Sequence, residues 1–117
     1  MVDDSTNARL SVASALTGAG FDIVQATSGE EALRLLAERD DIRMMFTDLH
    51  MEGMQGGELI RRVKSEPKLA WMPVVVLTAS AAALAQVDPK QIVTCLIKPI
   101  SPAAVLSLAQ RVVAVAS

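Results

Sequence analysis

Residues 73–78 read Pro-Val-Val-Val-Leu-Thr, an almost unbroken apolar run rich in β-branched side chains. Side chains on a strand alternate between its two faces, so a run without polar alternation needs apolar cover on both. That requirement excludes a sheet with one wet face. It predicts a parallel sheet with helices packed above and below. Shorter runs repeat the theme. Residues 21–26 follow Gly20 and precede Thr27-Ser28-Gly29, and residues 43–47 and 92–97 are two more candidates. Met1-Val2-Asp3 is a very short candidate first strand.

Helical periods fill the gaps. Leu10, Val12, Ala13 and Leu16 follow Ser5, a candidate N-cap, and Gly18 and Gly20 end that helix. Ala32, Leu33, Leu35 and Leu36 follow Ser28, with Glu31 three residues on in a capping-box pattern. Leu59, Ile60 and Val63 share one face, Arg61, Arg62 and Lys64 the other, and Pro67 stops the helix. Ser101-Pro102 starts a last helix carrying Val105, Leu108, Val112 and Val115. The alanine-rich stretch from residue 81 to 91 is a weaker helix, broken at Asp88-Pro89. The order is five strand–helix units, with no repeat and no linker, and predicts one domain over residues 1–117.

Composition narrows the function. A chain that is 51% hydrophobic and 21% charged can bury a core, so disorder is excluded. With 11 basic and 13 acidic residues the net charge is −2, which argues against a nucleic-acid surface. The single cysteine, Cys95, forms no internal disulfide and fits a reducing compartment. No apolar run approaches the about 18 residues of a membrane span, and the acidic opening is unlike a signal peptide. A cytoplasmic chain is the expectation.

In an open parallel sheet, ligands bind outside the carboxyl ends of the strands. Those ends carry Asp3-Asp4, Thr47-Asp48, Thr78 and Lys98. With strand order 2-1-3-4-5, strands one and three flank the switch point, and Asp3, Asp4 and Asp48 meet there. Crowded carboxylates repel unless a cation joins them, and a hard divalent ion such as Mg²⁺ suits oxygen ligands. A carboxylate can also accept a phosphoryl group as an aspartyl phosphate. Asp48 stands alone at its strand end and is the better nucleophile. The paired Asp3 and Asp4 are the better metal holders. Thr78 and Lys98 are suited to neutralising phosphoryl oxygens.

At these residues the sequence resembles the receiver domains of two-component response regulators. The matching stretches are Val2-Asp3-Asp4-Ser5, Thr47-Asp48-Leu49-His50-Met51, Gly53-Met54-Gln55-Gly56, Val76-Leu77-Thr78-Ala79-Ser80 and Ile97-Lys98-Pro99-Ile100. The resemblance covers essentially the whole chain. It implies a flavodoxin-like, doubly wound (βα)5 three-layer α/β sandwich of strand order 2-1-3-4-5. It implies Asp48 as phospho-acceptor, with Mg²⁺ held by Asp3, Asp4, Asp48 and the backbone carbonyl of His50. It implies Thr78 and Lys98 as readers of the phosphoryl group, and a cis Lys98–Pro99 bond. The donor it implies is a histidine kinase or histidine phosphotransfer protein, and the reader a downstream protein or output domain. The chain departs from the family in three ways. Only Met1 and Val2 precede the acid pair, so the first strand is short. Cys95 stands where a switching Tyr or Phe is usual. Only 20 positions separate Thr78 from Lys98, so the fourth helix region is shortened. Glu52 and Gln55 are milder departures.

These departures motivate a second reading, a binding module that ignores phosphorylation. A third, an Asp-nucleophile phosphatase, usually has a second Asp two residues after the nucleophile, where this chain has His50. There is no P-loop. The His50 side chain reads as an exposed loop residue, Cys95 as a small buried hydrophobe, and Arg61-Arg62-Lys64 as a solvated face. The methionines read as packing, and Trp71 is expected to pack near the start of the fourth strand. Apolar residues beyond the main face of the last helix, such as Val113, are compatible with a homodimer as well as with core packing.

Overall fold

The computed structural model describes residues 1–3 and 6–116. Its helices are α1 (Thr6–Gly18), α2 (Gly29–Glu38), α3 (Gly56–Ser65) and α4 (Pro102–Ala116). Its strands are β1 (Met45–Asp48), β2 (Val74–Thr78) and β3 (Thr94–Ile97). All three strands run parallel in the order β1-β2-β3, with Met45 opposite Val74 and Val75 opposite Thr94. Beyond β1 the sheet continues as single-residue bridges, Val2 to Thr47 and Val2 to Ala26. The spatial order is therefore Ala26, Val2, β1, β2, β3, which is the expected 2-1-3-4-5.

Burial on both faces explains the apolar run. All five residues of β2 are buried. Val74 and Val76 join one core with Ala32, Leu36, Leu59, Ile60 and Val63, from α2 and α3. Val75 and Leu77 join the other with Val12, Leu16, Val105 and Leu108, from α1 and α4. Each buried Val or Leu contributes about 1.5–3 kcal/mol, so β2 anchors both layers.

The expected strand over residues 21–26 is a correction, because only Ala26 is bridged. The reason lies in its partner. Among the described residues Val2 is the one bridged residue of the first strand, and a ladder cannot outrun it. Two hydrogen bonds prolong the contact: the Ala26 N–H donates to the Met1 carbonyl at 2.9 Å, and the Met1 amino group donates to the Val24 carbonyl at 3.1 Å. A cleft of about 370 Å³, lined in part by Leu16, Phe21, Ile23, Met44 and Phe46, opens beside this stub.

Other expectations hold at the helix ends. The Ser28 hydroxyl caps α2, accepting from the Glu31 N–H at 3.1 Å, while the Glu31 carboxylate reaches back to the Thr27 N–H. α3 ends at Ser65 with Glu66 extended ahead of Pro67, as the proline ring demands. The stretch after β2 is not an α-helix but two 3-10 helices, Ala81–Gln86 and Pro89–Gln91, with Asp88 capping the second. β3 departs from two-sided burial because it is the edge strand of the three, and Ile97 is exposed. Leu10, one of the apolar residues at helical spacing in the first helix, is exposed. Trp71 is 56% exposed, its indole N–H bonded to the Lys68 carbonyl, and does not pack as expected. Ser5, Asp4 and the side chains of Val113 and Val115 lie outside the described residues.

Candidate functional site

Parallel strands point their carboxyl ends the same way, so Asp3, Asp48, Thr78 and Lys98 arrive on one rim. Pairing fixes their heights. The Asp48 N–H donates to the Val2 carbonyl at 2.9 Å, and the Asp3 N–H to the Ala26 carbonyl at 3.1 Å. The Lys98 N–H donates to the Thr78 carbonyl at 2.7 Å, and the Lys98–Pro99 peptide bond is cis.

Lys98 brings the rim together. Its Nζ donates to Asp3 Oδ2 at 2.9 Å and to Asp48 Oδ2 at 3.0 Å. Asp3 is fully buried and Asp48 nearly so, whereas the lysine side chain keeps 20% of its surface in solvent. Burial pulls the Lys98 pKa down. Its hydrogen bonds to Asp3 and Asp48 and their negative charge outweigh this, so the net shift is upward. The other oxygen of Asp48, Oδ1, accepts the Leu49 N–H at 2.7 Å and, more weakly, the His50 N–H at 3.4 Å.

The loop after β1 is set by glycine. The Gly56 N–H donates to the Leu49 carbonyl at 2.9 Å. A Cβ on Gly56 would overlap the Asp48 carbonyl oxygen and stand 2.7 Å from the Leu49 Cα. α3 therefore begins directly against the backbone at the end of β1.

Of the residues singled out from sequence, Lys98 directly contacts both Asp3 and Asp48. Thr78 sits buried at the end of β2, with its hydroxyl donating to the Ser80 carbonyl and accepting from the Ser80 N–H, both at 3.3 Å. His50 is exposed and adjoins the cluster through its amide. Asp4 lies outside the described residues. Cys95 is only partly buried, packed against the core. Sequence reasoning missed Arg9, whose Nη1 donates to the Asp3 carbonyl at 3.0 Å, and Glu30, whose carboxylate accepts the Met54 N–H at 2.7 Å. Both contacts cross between elements and leave no local signature.

The donor set suits a hard cation. Two buried carboxylates already converge on one positive charge, and all their ligating atoms are oxygen. Among the described residues no three His, Cys, Asp or Glu side chains come together. A cation would therefore need further oxygens from Asp4 or the backbone.

The receiver-domain profile of response regulators matches residues 1–110. The chain belongs to the response regulator receiver domains. Relatives agree. The two-component response regulator ORR11 of Oryza sativa subsp. indica is 34% identical over 119 residues, covering 95% of this chain and 77% of that protein. A putative response regulator from Chloroflexus aurantiacus superposes with a TM-score of 0.88 at 26% identity, covering 97% of this chain and 93% of that one. The response regulator TrrA of Thermotoga maritima, solved in complex with Mg²⁺ and BeF, shares the fold at a TM-score of 0.83. It is 22% identical and covers 95% and 94% of the two chains. The architecture is thus the flavodoxin-like one shared by receiver domains. This receiver domain is a phosphoacceptor module of two-component signalling, regulatory in character. Receiver domains bind Mg²⁺ as a class and act with kinases or phosphotransfer proteins. Among the described residues no helix is long and apolar enough to cross a membrane.

Proposed function

We propose that Asp48 is the residue that accepts the phosphoryl group. The observation that carries this reading is the Lys98 ammonium, shared at about 3 Å between the buried carboxylates of Asp3 and Asp48 at adjoining strand ends. A histidine kinase or histidine phosphotransfer protein supplies the group from a phosphohistidine. The P–N bond breaks, a P–O bond forms to an Asp48 oxygen, and the departing imidazole takes up a proton. Leu49 and His50 amides hold Oδ1, which orients the carboxylate for attack. Mg²⁺ would be held by Asp3, Asp4, Asp48 and the His50 carbonyl, and its charge would neutralise phosphoryl oxygens.

Phosphorylation adds negative charge beside Lys98. The ammonium then shifts from its shared position toward the new oxygens. The Thr78 hydroxyl exchanges its 3.3 Å contact with Ser80 for a phosphoryl oxygen. Both residues sit on the rim leading into the 3-10 stretch and α4, so the rearrangement reaches a surface that a downstream protein or output domain reads. Cys95 offers no aromatic ring to rotate, so the signal passes through the backbone of β2 and β3. The whole of residues 1–117 acts as one such domain, in the cytoplasm.

The test is intact-protein mass after incubation with acetyl phosphate. One phosphoryl adduct is expected with Mg²⁺, and none with excess chelator or in Asp48→Ala. An adduct of undiminished yield in Asp48→Ala refutes the assignment. No adduct on folded wild type indicates a partner-binding module independent of phosphorylation.

A further inference from the structure

The loop between β1 and α3 carries the His50 carbonyl, and two side chains outside the acidic cluster hold it. Glu30, in the first turn of α2, accepts the Met54 N–H through Oε1 at 2.7 Å, bridging 24 positions of sequence. Gln55 sits at the N-cap of α3 but does not cap the helix with its side chain. Its Nε2 donates instead to the Met51 carbonyl at 2.7 Å. The backbone is shaped to admit Glu30. Gly53 has φ +75°, and a Cβ there would stand 3.1 Å from Glu30 Oε1 and 3.3 Å from Oε2. At Gly29 a Cβ would meet Met54 Sδ at 3.0 Å, so α2 begins tightly against the same loop. Ser28 and Glu31 pin the start of α2, so Glu30 reaches out from a fixed platform.

We propose that Glu30 and Gln55 are positioning residues that aim the His50 carbonyl at the cation site beside Asp3 and Asp48. This rests on the reading of that site as a Mg²⁺ site. A backbone carbonyl ligates well only when its peptide plane is held. Gln55 engages the next carbonyl, that of Met51, while the His50 carbonyl accepts no hydrogen bond among the described residues. Glu30 fixes the far end of the same short segment. Partners of this outer kind typically govern metal affinity by 10–100-fold.

The experiment is calorimetric titration of the full chain with Mg²⁺, paired with amide hydrogen exchange. The variants are Glu30→Ala, Glu30→Gln and Gln55→Ala. Glu30→Ala is expected to weaken Mg²⁺ binding by about tenfold and to speed exchange at Met54. Gln55→Ala is expected to weaken binding in the same direction. Glu30→Gln keeps an oxygen acceptor for the Met54 N–H and is expected to restore most of the affinity. A loss in Glu30→Gln equal to that in Glu30→Ala overturns the proposal, because charge alone would then explain it. Wild-type affinity in a folded Glu30→Ala overturns it while leaving the Mg²⁺ site standing. Failure of the wild type to bind Mg²⁺ removes the site reading and the proposal together.

Discussion

Replacing Gly56 by alanine adds one methyl group at the point where α3 meets the end of β1. That methyl would overlap the Asp48 carbonyl oxygen and lie 2.7 Å from the Leu49 Cα and 2.9 Å from the Asp48 carbonyl carbon. Carbon atoms pack at about 3.5–4.0 Å, so the backbones must part by roughly 1 Å. No side chain can rotate to relieve this, because all three of these neighbours are main chain. Overpacking of this kind costs about 1–3 kcal/mol. The shift also stretches the 2.9 Å bond from Gly56 N–H to the Leu49 carbonyl, worth about 1 kcal/mol. Alanine's better helix propensity returns up to about 1 kcal/mol. The net loss is about 2 kcal/mol, or about 8 °C in Tm for a chain of this size. Gly57→Ala is the control. There the Cβ meets the movable Gln86 Oε1 at 2.9 Å and the Gln86 carbonyl at 3.2 Å, and the loss should be smaller. Thermal melts followed by circular dichroism measure both. A Gly56→Ala protein that melts at or above the wild-type temperature refutes this reasoning.

Lys98→Met keeps the side-chain bulk and removes the ammonium shared by Asp3 and Asp48. Losing one partner of a buried pair costs about 3–5 kcal/mol, and the 20% exposure of Lys98 reduces this to about 2 kcal/mol. Urea titration at neutral pH checks the value, and saturating Mg²⁺ should recover part of it. The Lys98 pKa is raised in the fold, so its contribution is complete below the ordinary lysine value of 10.5 and disappears as pH rises through the folded value. The stability gap between wild type and Lys98→Met should therefore close above pH 10.5, and a gap that stays constant there contradicts the pairing. Ser28→Ala removes the α2 cap and should cost about 1 kcal/mol, read as a melt lower by about 4 °C.

Much of the rim could be read from sequence because strand ends are local features. The apolar run of residues 73–78 puts Thr78 on the rim, and the apolar residues before Asp48 put that carboxylate there. Asp3 and Lys98 followed from the same rule, although they lie 95 positions apart. Residues 21–25 misled because strand propensity says nothing about how far the partner strand extends. Leu10 and Trp71 misled because apolar character does not decide which face a neighbour covers. The loop contacts of Glu30 and Gln55 were hidden for another reason. They depend on how α2 approaches a turn shaped by Gly53, and only the assembled layers fix that approach. Thr78 was correctly placed on the rim, but its hydroxyl bond to Ser80 depends on a turn whose geometry composition does not specify.

Identifying the modified residue tests the central assignment most directly. Borohydride reduces an acyl phosphate to an alcohol, converting a phosphorylated aspartate to homoserine. Treating the protein with acetyl phosphate and Mg²⁺, reducing it and mapping its peptides by mass spectrometry should place homoserine at position 48 alone. Homoserine at Asp3 or another aspartate, with position 48 unchanged, would contradict Asp48 as the acceptor.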